Sequence, residues 1–301
     1  MSDNLSPLVG RTVLVAGLGN IGSPLAALLL QAGVSRLRLV DRDVVEPKNL
    51  IAQDFRPEDV GRPKADALRD RLRVRFPDRD VQSWGVDLED MPVGVADVDL
   101  VFGALDSRRA RQVLIDDTAW PLGVSVIDGG VGDGHIGRVQ VFRPGPETAC
   151  LECTWGDADY RLASREYPCR PGSRPESMPT GAPAYLGTFT ASLMVREAVR
   201  LLTVPLAPVL GGEGLGVRGS SVAQSLPLTP DPSPPEYRGR GEHLAGEKES
   251  YEIPFDLDHL VLRRYALRRS ARCRFDHAIR PRGDGWENKS VANAPGSWKR
   301  P

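Results

Sequence analysis

RTVLVAGLGNIGSPLAALLLQAGVSRLRLVDRD, residues 11–43, decides the fold of this chain. Residues 11–16 are mostly apolar and β-branched, the pattern of a strand buried on both faces. Gly17, Gly19 and Gly22 follow as G-x-G-x-x-G. The first makes a tight turn, the second lets backbone approach a phosphate, and the third lets helix pack closely on strand. Leu and Ala dominate residues 23–32, which predicts a helix with Gly33 as its C-cap. Residues 36–40 read as a second strand with Asp41 at its end, where a carboxylate accepts both hydroxyls of a ribose. The helix N-terminus offers unpaired N–H groups and a positive dipole to phosphate oxygens. The stretch reads as a nucleotide-binding βαβ unit rather than one that binds nothing.

Outward from this unit, residues 42–63 form a polar connection, long for a βα loop, and long ordered loops are usually functional. Residues 64–76 have helical apolar spacing at Ala67, Leu68 and Leu72, and residues 81–86 form a short strand. Residues 98–105 are a buried strand running into Asp106, followed by a helix over residues 108–117. Strands 125–131 and 138–142 are joined by a glycine-rich connection too short for a parallel crossover, so they pair antiparallel. The expected fold class is α/β: a doubly wound, Rossmann-like mixed sheet with a parallel nucleotide-binding half plus antiparallel strands. Residues 150–182 read as irregular, and 185–202 as a helix with apolar Leu186, Phe189, Leu193, Val195 and Val199.

Residues 1–203 thus read as one nucleotide-binding domain. Residues 204–249 are turn-formers, prolines and charge, too poor in apolar surface to offset their conformational entropy, and read as a disordered insertion. A proline-rich partner ligand is the alternative, but no anchor flanks it. Residues 250–278 return with alternating apolar side chains, and 279–301 read as a disordered tail.

With 39 basic and 40 acidic side chains, charge gives no reason to invoke nucleic acid or a membrane surface. No apolar run approaches a membrane span, and the first ten residues lack a signal-peptide core. The four cysteines are not spread as a disulfide framework, which points to a reducing cytoplasm and metal or thiol chemistry.

The glycine motif alone leaves NAD and ATP open. Asp41, Asp43, Asn49, Gln53 and Lys64 follow the second strand, and Asp106 ends a later one. In a doubly wound sheet the carboxyl ends of neighbouring strands line one crevice. Each residue alone reads as a solvated loop side chain. Together they exceed what hydride transfer needs and suit nucleotidyl transfer, with Lys neutralising phosphate charge and Asp holding Mg²⁺. Cys150 and Cys153 form C-x-x-C, which presents two thiolates to one tetrahedral ion; structural zinc needs four ligands. A redox dithiol and a zinc site lost in this chain are the alternatives. Cys169 sits among Arg165, Arg170 and Arg174, neighbours that favour a nucleophilic thiolate; an incidental cysteine is the alternative. His135, His243 and His259 have no evident partner and read as solvated or core histidines.

GLGNIG, DRDVVEPKNLIAQ, VGRPKA, GALDSRRAR, CLEC and GTFTASLMVREAVRLL together cover most of residues 8–203. In these motifs the chain resembles the ThiF/MoeB/HesA family, bacterial relatives of ubiquitin-activating enzymes. The resemblance implies an ATP-binding adenylation domain over residues 1–203. It implies adenylation of the C-terminal carboxylate of a small ubiquitin-like or sulfur-carrier protein, with MgATP consumed and pyrophosphate released, and a homodimer. By motif match Gly17, Gly19 and Gly22 carry the nucleotide, with Asp41 on the ribose, Asn49 and Gln53 beside the phosphates, and Lys64 neutralising their charge. Asp106 binds Mg²⁺ and Arg111 supports it. A cysteine in the region of Cys169 takes the activated carrier in relatives. The family supplies a second C-x-x-C near the C-terminus; here Cys273 and His277 form C-x-x-x-H instead, which completes a Cys₃His zinc set with Cys150 and Cys153. The family also reads N-L-x-R-Q where this chain has Ala52, an exchange that removes a guanidinium facing phosphate and is worth about 3 kcal/mol in a charge-stabilised transition state. Arg42, Arg56 and Arg62 are nearby substitutes. An NAD-dependent oxidoreductase and a nucleotide-binding scaffold without catalysis are the alternative functions. Adenylation of a tRNA base is disfavoured by the absence of basic excess.

Overall fold

Residues 11–43 fold as strand β1 (Thr12–Ala16), helix α1 (Gly22–Gln31) and strand β2 (Arg36–Val40). The computed structural model describes residues 6–132, 134–163, 181–203, 249–275, 277 and 279 of the 301. Every residue of β1 is buried, as its unbroken apolar run requires of a central parallel strand. It pairs with β2 on one side and with β4 (Leu100–Gly103) on the other, both parallel. Helix α2 (Lys64–Arg75) leads to β3 (Asp80–Trp84), parallel to β2. Beyond β4 lie β5 (Val126–Val131), parallel to it, then β6 (Ile136–Phe142) and β7 (Tyr251–Asp256), both antiparallel to their neighbours. The short β8 (Val261–Leu262) and β9 (Tyr265–Ala266) both pair with β7. The order is β3-β2-β1-β4-β5-β6-β7-β8, so the winding reverses between β1 and β4. That switch point opens a crevice outside the carboxyl ends of the parallel strands.

Two apolar layers hold the sheet. On one face α1, α2 and the long α5 (Ala184–Thr203) bury Leu25, Leu29, Leu68, Leu186 and Met194 against β1, β2 and β5. On the other, Trp120, Leu114, Met91 and Val95 cover β1, β4 and β6. Each fully buried large aliphatic contributes about 1.5–3 kcal/mol. Gly33 adopts φ +110°, a left-handed conformation that ends α1 where its sequence position predicts.

Three differences from the sequence reading have physical causes. The helix after Asp106 is α-helical only as α3 (Arg108–Gln112) and widens to π-helical turns over Val113–Ala119, where Thr118 Oγ1 donates to the Val113 carbonyl at 2.6 Å. Within the span read as irregular lies α4 (Asp157–Ala163), started by Asp159 Oδ2 accepting the Gly156 N–H at 3.0 Å; seven residues are too few for apolar periodicity to register. Residues 42–63, read only as a polar connection, make 3₁₀ turns at Pro47–Ile51 and Pro57–Asp59, each started by its proline, and are closed by a bridge between Val44 and Pro63. Residues 204–248, nearly all of the expected insertion, and 280–301 lie outside the described residues, as does Cys169. Among the described residues no helix is long and apolar enough to cross a membrane.

Candidate nucleotide site and metal centre

The glycine turn is built by close approach. Gly17 has φ +85°, and a Cβ there would lie 2.4 Å from the Ala104 carbonyl oxygen, so the turn rests on the exit of β4. A Cβ at Gly22 would lie 1.8 Å from the Gly17 carbonyl oxygen, so only glycine lets α1 start there. Gly19 instead faces open space, with only Gln53 Nε2 at 3.9 Å from its would-be Cβ. Asn20 Nδ2 donates to the Ala182 carbonyl at 2.8 Å and fixes the start of α5 beside the turn.

Asp41 sits against this turn. Its Oδ2 accepts the Leu18 N–H at 2.6 Å and its Oδ1 the Asp43 N–H at 2.8 Å. Burial pushes the Asp41 carboxyl above its ordinary value; Lys64 opposes this and Asp43 adds to it. Lys64 opens α2, is 7% exposed, and donates from Nζ to Asp43 Oδ2 at 3.0 Å. The three glycines, Asp41, Asp43 and Lys64 are therefore brought together at the carboxyl ends of β1 and β2. A buried ammonium beside two carboxylates is a poised counter-charge for polyphosphate.

Asn49 serves the loop itself: it is buried, and its Oδ1 accepts the Glu46 N–H at 2.8 Å at the head of the first 3₁₀ turn. Gln53 is held near Gly19 because Ser23 Oγ accepts the Asp54 N–H at 2.9 Å and donates to the Gly19 carbonyl at 2.7 Å. Its Oε1 is buried without a hydrogen-bond partner, an acceptor left for a ligand. Ala52 borders a cavity of about 260 Å³ with Pro24, Ile51, Gln53, Ala184 and Thr188. Arg56 points to Glu58 at 3.8 Å, Arg42 to Asp87 at 2.6 Å, and Arg62 to Asp70 at 2.5 Å. The arginine that reaches Asp54 from α2 is Arg71, Nη2 to Oδ2 3.0 Å, which the sequence reading did not single out.

Asp106 is exposed at the exit of β4 and borders a second cavity of about 260 Å³ with Arg108, Arg111, Arg138, Trp155 and Asp159. Arg108 Nε donates to Asp159 Oδ1 at 2.7 Å. Arg111 is turned inward: its Nη1 lies 2.9 Å from Asp128 Oδ2, and its Nε and Nη2 donate to the Leu105 carbonyl at 3.0 and 2.7 Å. Asp128 is fully buried, and burial pushes its carboxyl up against the lowering effect of Arg111. Its signal in the sequence was an acid inside an apolar strand, V-I-D-G-G.

Cys150, Cys153, Cys273 and His277 come together, with all four donor atoms within 4.8 Å of one another. Sγ of Cys150 lies 3.8 Å from that of Cys153 and 3.5 Å from that of Cys273, and Cys153 Sγ lies 3.5 Å from His277 Nε2. Tetrahedral zinc with bonds of about 2.3 Å to sulfur and 2.0 Å to nitrogen separates its ligands by about 3.5–3.8 Å, so the donor set fits. The hydrogen bond from Cys150 holds the Cys153 thiol below its ordinary value, whereas burial pushes the Cys150 thiol up. His277 adopts φ +57° and is fixed by its carbonyl, which accepts the Trp120 Nε1–H at 3.2 Å. Asp116, missed in sequence, is fully buried and accepts the Leu151 and Glu152 N–H groups, each at 3.2 Å, which fixes the C-x-x-C turn. Exposed His135 and His259 contact Asp258 at 2.5 Å and Asp256 at 2.8 Å.

A glycine turn at the switch point, with an acid on the second strand and a buried lysine beside it, defines a Rossmann-like nucleotide-binding protein. The ThiF family pattern matches residues 2–221, and the chain belongs to that family. It is 31% identical over 207 residues to the sulfur carrier protein adenylyltransferase of Thermus thermophilus, covering 66% of this chain and 72% of that one. It is 30% identical over 236 residues to ubiquitin-like modifier-activating enzyme 5 of Oryza sativa subsp. japonica, covering 71% of this chain and 53% of the relative. The chain thus spans about half the length of the relatives of that name. Among solved structures, Escherichia coli MccB with ATP shares the fold, with a TM-score of 0.58 at 16% identity over 90% of this chain and 67% of that one.

Proposed function

We propose that the protein is an ATP-dependent adenylyltransferase acting on the C-terminal carboxylate of a small ubiquitin-like or sulfur-carrier protein. The observation that carries this reading is Lys64, a buried ammonium delivered to Asp41 and Asp43 beside the glycine turn. Hydride transfer does not require that charge, because a dinucleotide pyrophosphate can be held by backbone N–H groups alone. Phosphate charge that develops in nucleotidyl transfer is stabilised by it. Relatives named for adenylation and for activation of ubiquitin-like modifiers support the same reaction class.

In this reading Asp41 accepts from the ribose, and Gly19 with the first N–H groups of α1 approaches the phosphates. Gln53 Oε1 and Nε2 lie beside them, and Lys64 exchanges its partner Asp43 for a phosphate oxygen. The carrier carboxylate oxygen attacks the α-phosphorus, the bond to the β-phosphate breaks, and pyrophosphate leaves with its electrons. Asp106 would hold Mg²⁺, which would supply screening of the developing charge. Cys150, Cys153, Cys273 and His277 would hold zinc in a structural role, closing the C-terminal segment onto the π-helical face. Cys169 Sγ would attack the carbonyl carbon of the carrier adenylate, forming a thioester as the bond to phosphate breaks and AMP leaves. The enzyme works as a homodimer in the cytoplasm, where thiol ligands stay reduced.

Equilibrium titration with ATP and with NAD tests the reading. ATP binds and NAD does not; the reverse result establishes the oxidoreductase instead.

A further inference from the structure

Arg111 borders the cavity beside Asp106, yet its guanidinium nitrogens are all engaged by protein acceptors. Its Nε and Nη2 both donate to the Leu105 carbonyl, Nη2 also reaches the Gly129 carbonyl at 3.2 Å, and Nη1 lies against Asp128. All three nitrogens are directed at protein acceptors, one just past the end of β4 and two on β5. The Leu105 carbonyl belongs to the peptide that immediately precedes Asp106.

Asp128 is the counter-charge of that clamp. It is fully buried on β5, and neither carboxylate oxygen has a hydrogen-bond donor among the described residues, so the Arg111 ion pair is what balances it. Its place requires Gly103, its register partner on β4: a Cβ there would lie 2.5 Å from Asp128 Oδ1 and 3.4 Å from Leu114 Cδ2. A planar fork held by a buried carboxylate and two carbonyls has one orientation, which a flexible ammonium does not reproduce.

We propose that Asp128 is a positioning residue of the metal side of the site, acting through Arg111 on the Leu105–Asp106 peptide and so on the placement of the Asp106 carboxylate. The proposal rests on the adenylation reading and assigns Arg111 to the protein rather than to the nucleotide. Groups that orient a metal ligand typically change metal affinity about 10–100-fold when removed.

The test is ATP affinity of the full chain, measured by calorimetric titration with Mg²⁺ and with EDTA. In the wild type Mg²⁺ tightens ATP binding. Asp128→Asn is expected to raise the Mg²⁺ concentration needed for that gain by about tenfold while leaving metal-free ATP affinity within about twofold. Arg111→Lys, which keeps the cation and the ion pair but loses the fork, shows the same loss and serves if the first variant does not fold. An unchanged Mg²⁺ requirement in a folded variant with a lower melting temperature makes the pair purely structural and overturns the proposal. A drop in metal-free ATP affinity in Arg111→Lys also overturns it, since Arg111 would then touch the nucleotide. Pyrophosphate exchange is a separate readout: its absence from the wild type with every carrier refutes adenylation without altering this result.

Discussion

Cys150 Sγ lies 3.5 Å from Cys273 Sγ, although 123 positions separate the two in the chain. With Cys153 and His277 they form the donor set that a tetrahedral ion requires. The purified protein is expected to carry one zinc per chain by elemental analysis. Cys273→Ser and His277→Ala should each lower zinc content and melting temperature together, because site formation and folding are coupled. Cys169→Ser should change neither. Zinc kept in His277→Ala but lost in Cys169→Ser would make Cys169 the fourth ligand and end its candidacy as acceptor of the carrier.

Glu197 ties the chain on both sides of residues 204–248. It is fully buried on α5 and accepts from Tyr251 Oη at 2.6 Å, Arg200 Nε at 3.0 Å and Arg264 Nη2 at 3.0 Å. The two guanidinium carbons lie 4.8 and 4.7 Å from the Tyr251 ring centroid. Burial alone would raise the Glu197 carboxyl, but Tyr251 and the arginines prevail and leave it below the ordinary 4.5. A depressed pKa means stability that is present above 4.5 and lost as pH falls through the folded-state value. Glu197→Gln should cost about 3 kcal/mol at neutral pH, with the gap to wild type closing below pH 4.5 in urea titrations. Replacing residues 204–248 with a short Gly/Ser linker should leave the melting temperature nearly unchanged, since closure cost grows only logarithmically with loop length.

Asp41 carries the opposite shift. Its carboxyl is raised above 3.8, so it protonates at a higher pH than an ordinary aspartate and loses its acceptor capacity for ribose hydroxyls there. ATP affinity should therefore begin to fall above pH 3.8 as the solution is acidified, and Asp41→Asn should lack that step. At neutral pH Asp41→Ala should weaken ATP by about 1–3 kcal/mol.

Ala52 stands where the family resemblance predicts arginine, and a cavity of about 260 Å³ opens beside it. Ala52→Arg places a guanidinium in that space with Gln53 as neighbour. It should accelerate adenylation by about tenfold or more if charge on the phosphates limits the rate. A slower variant would mean that the chain has settled its charge balance without that residue, with Arg71 on Asp54 the nearest candidate.

The nucleotide half of the fold was legible because its signals are local: an apolar strand, three glycines and an acid at fixed spacing. The antiparallel turn-back of β5 and β6 was legible from the length of one connection. The donor set could be assembled from residue types alone, but its closeness depends on Trp120 and Asp116, whose contacts span distant segments. Asp128 was missed because its meaning lies in Gly103 on the neighbouring strand and Arg111 on the preceding helix, which no short sequence window contains. Helix α4 was missed because a hydrogen bond at its start, rather than a periodic apolar face, defines it.

The central claim is adenylation, and its most direct measurement is ATP–pyrophosphate exchange in the presence of a small carrier protein with a free flexible C-terminus. Wild type should exchange labelled pyrophosphate into ATP only when carrier and Mg²⁺ are both present. Lys64→Ala and Asp106→Asn should each lower the rate by about 10²-fold or more, the usual effect of removing one charge-stabilising group. ATP binding without exchange for any carrier, or exchange unchanged in both variants, would contradict the account.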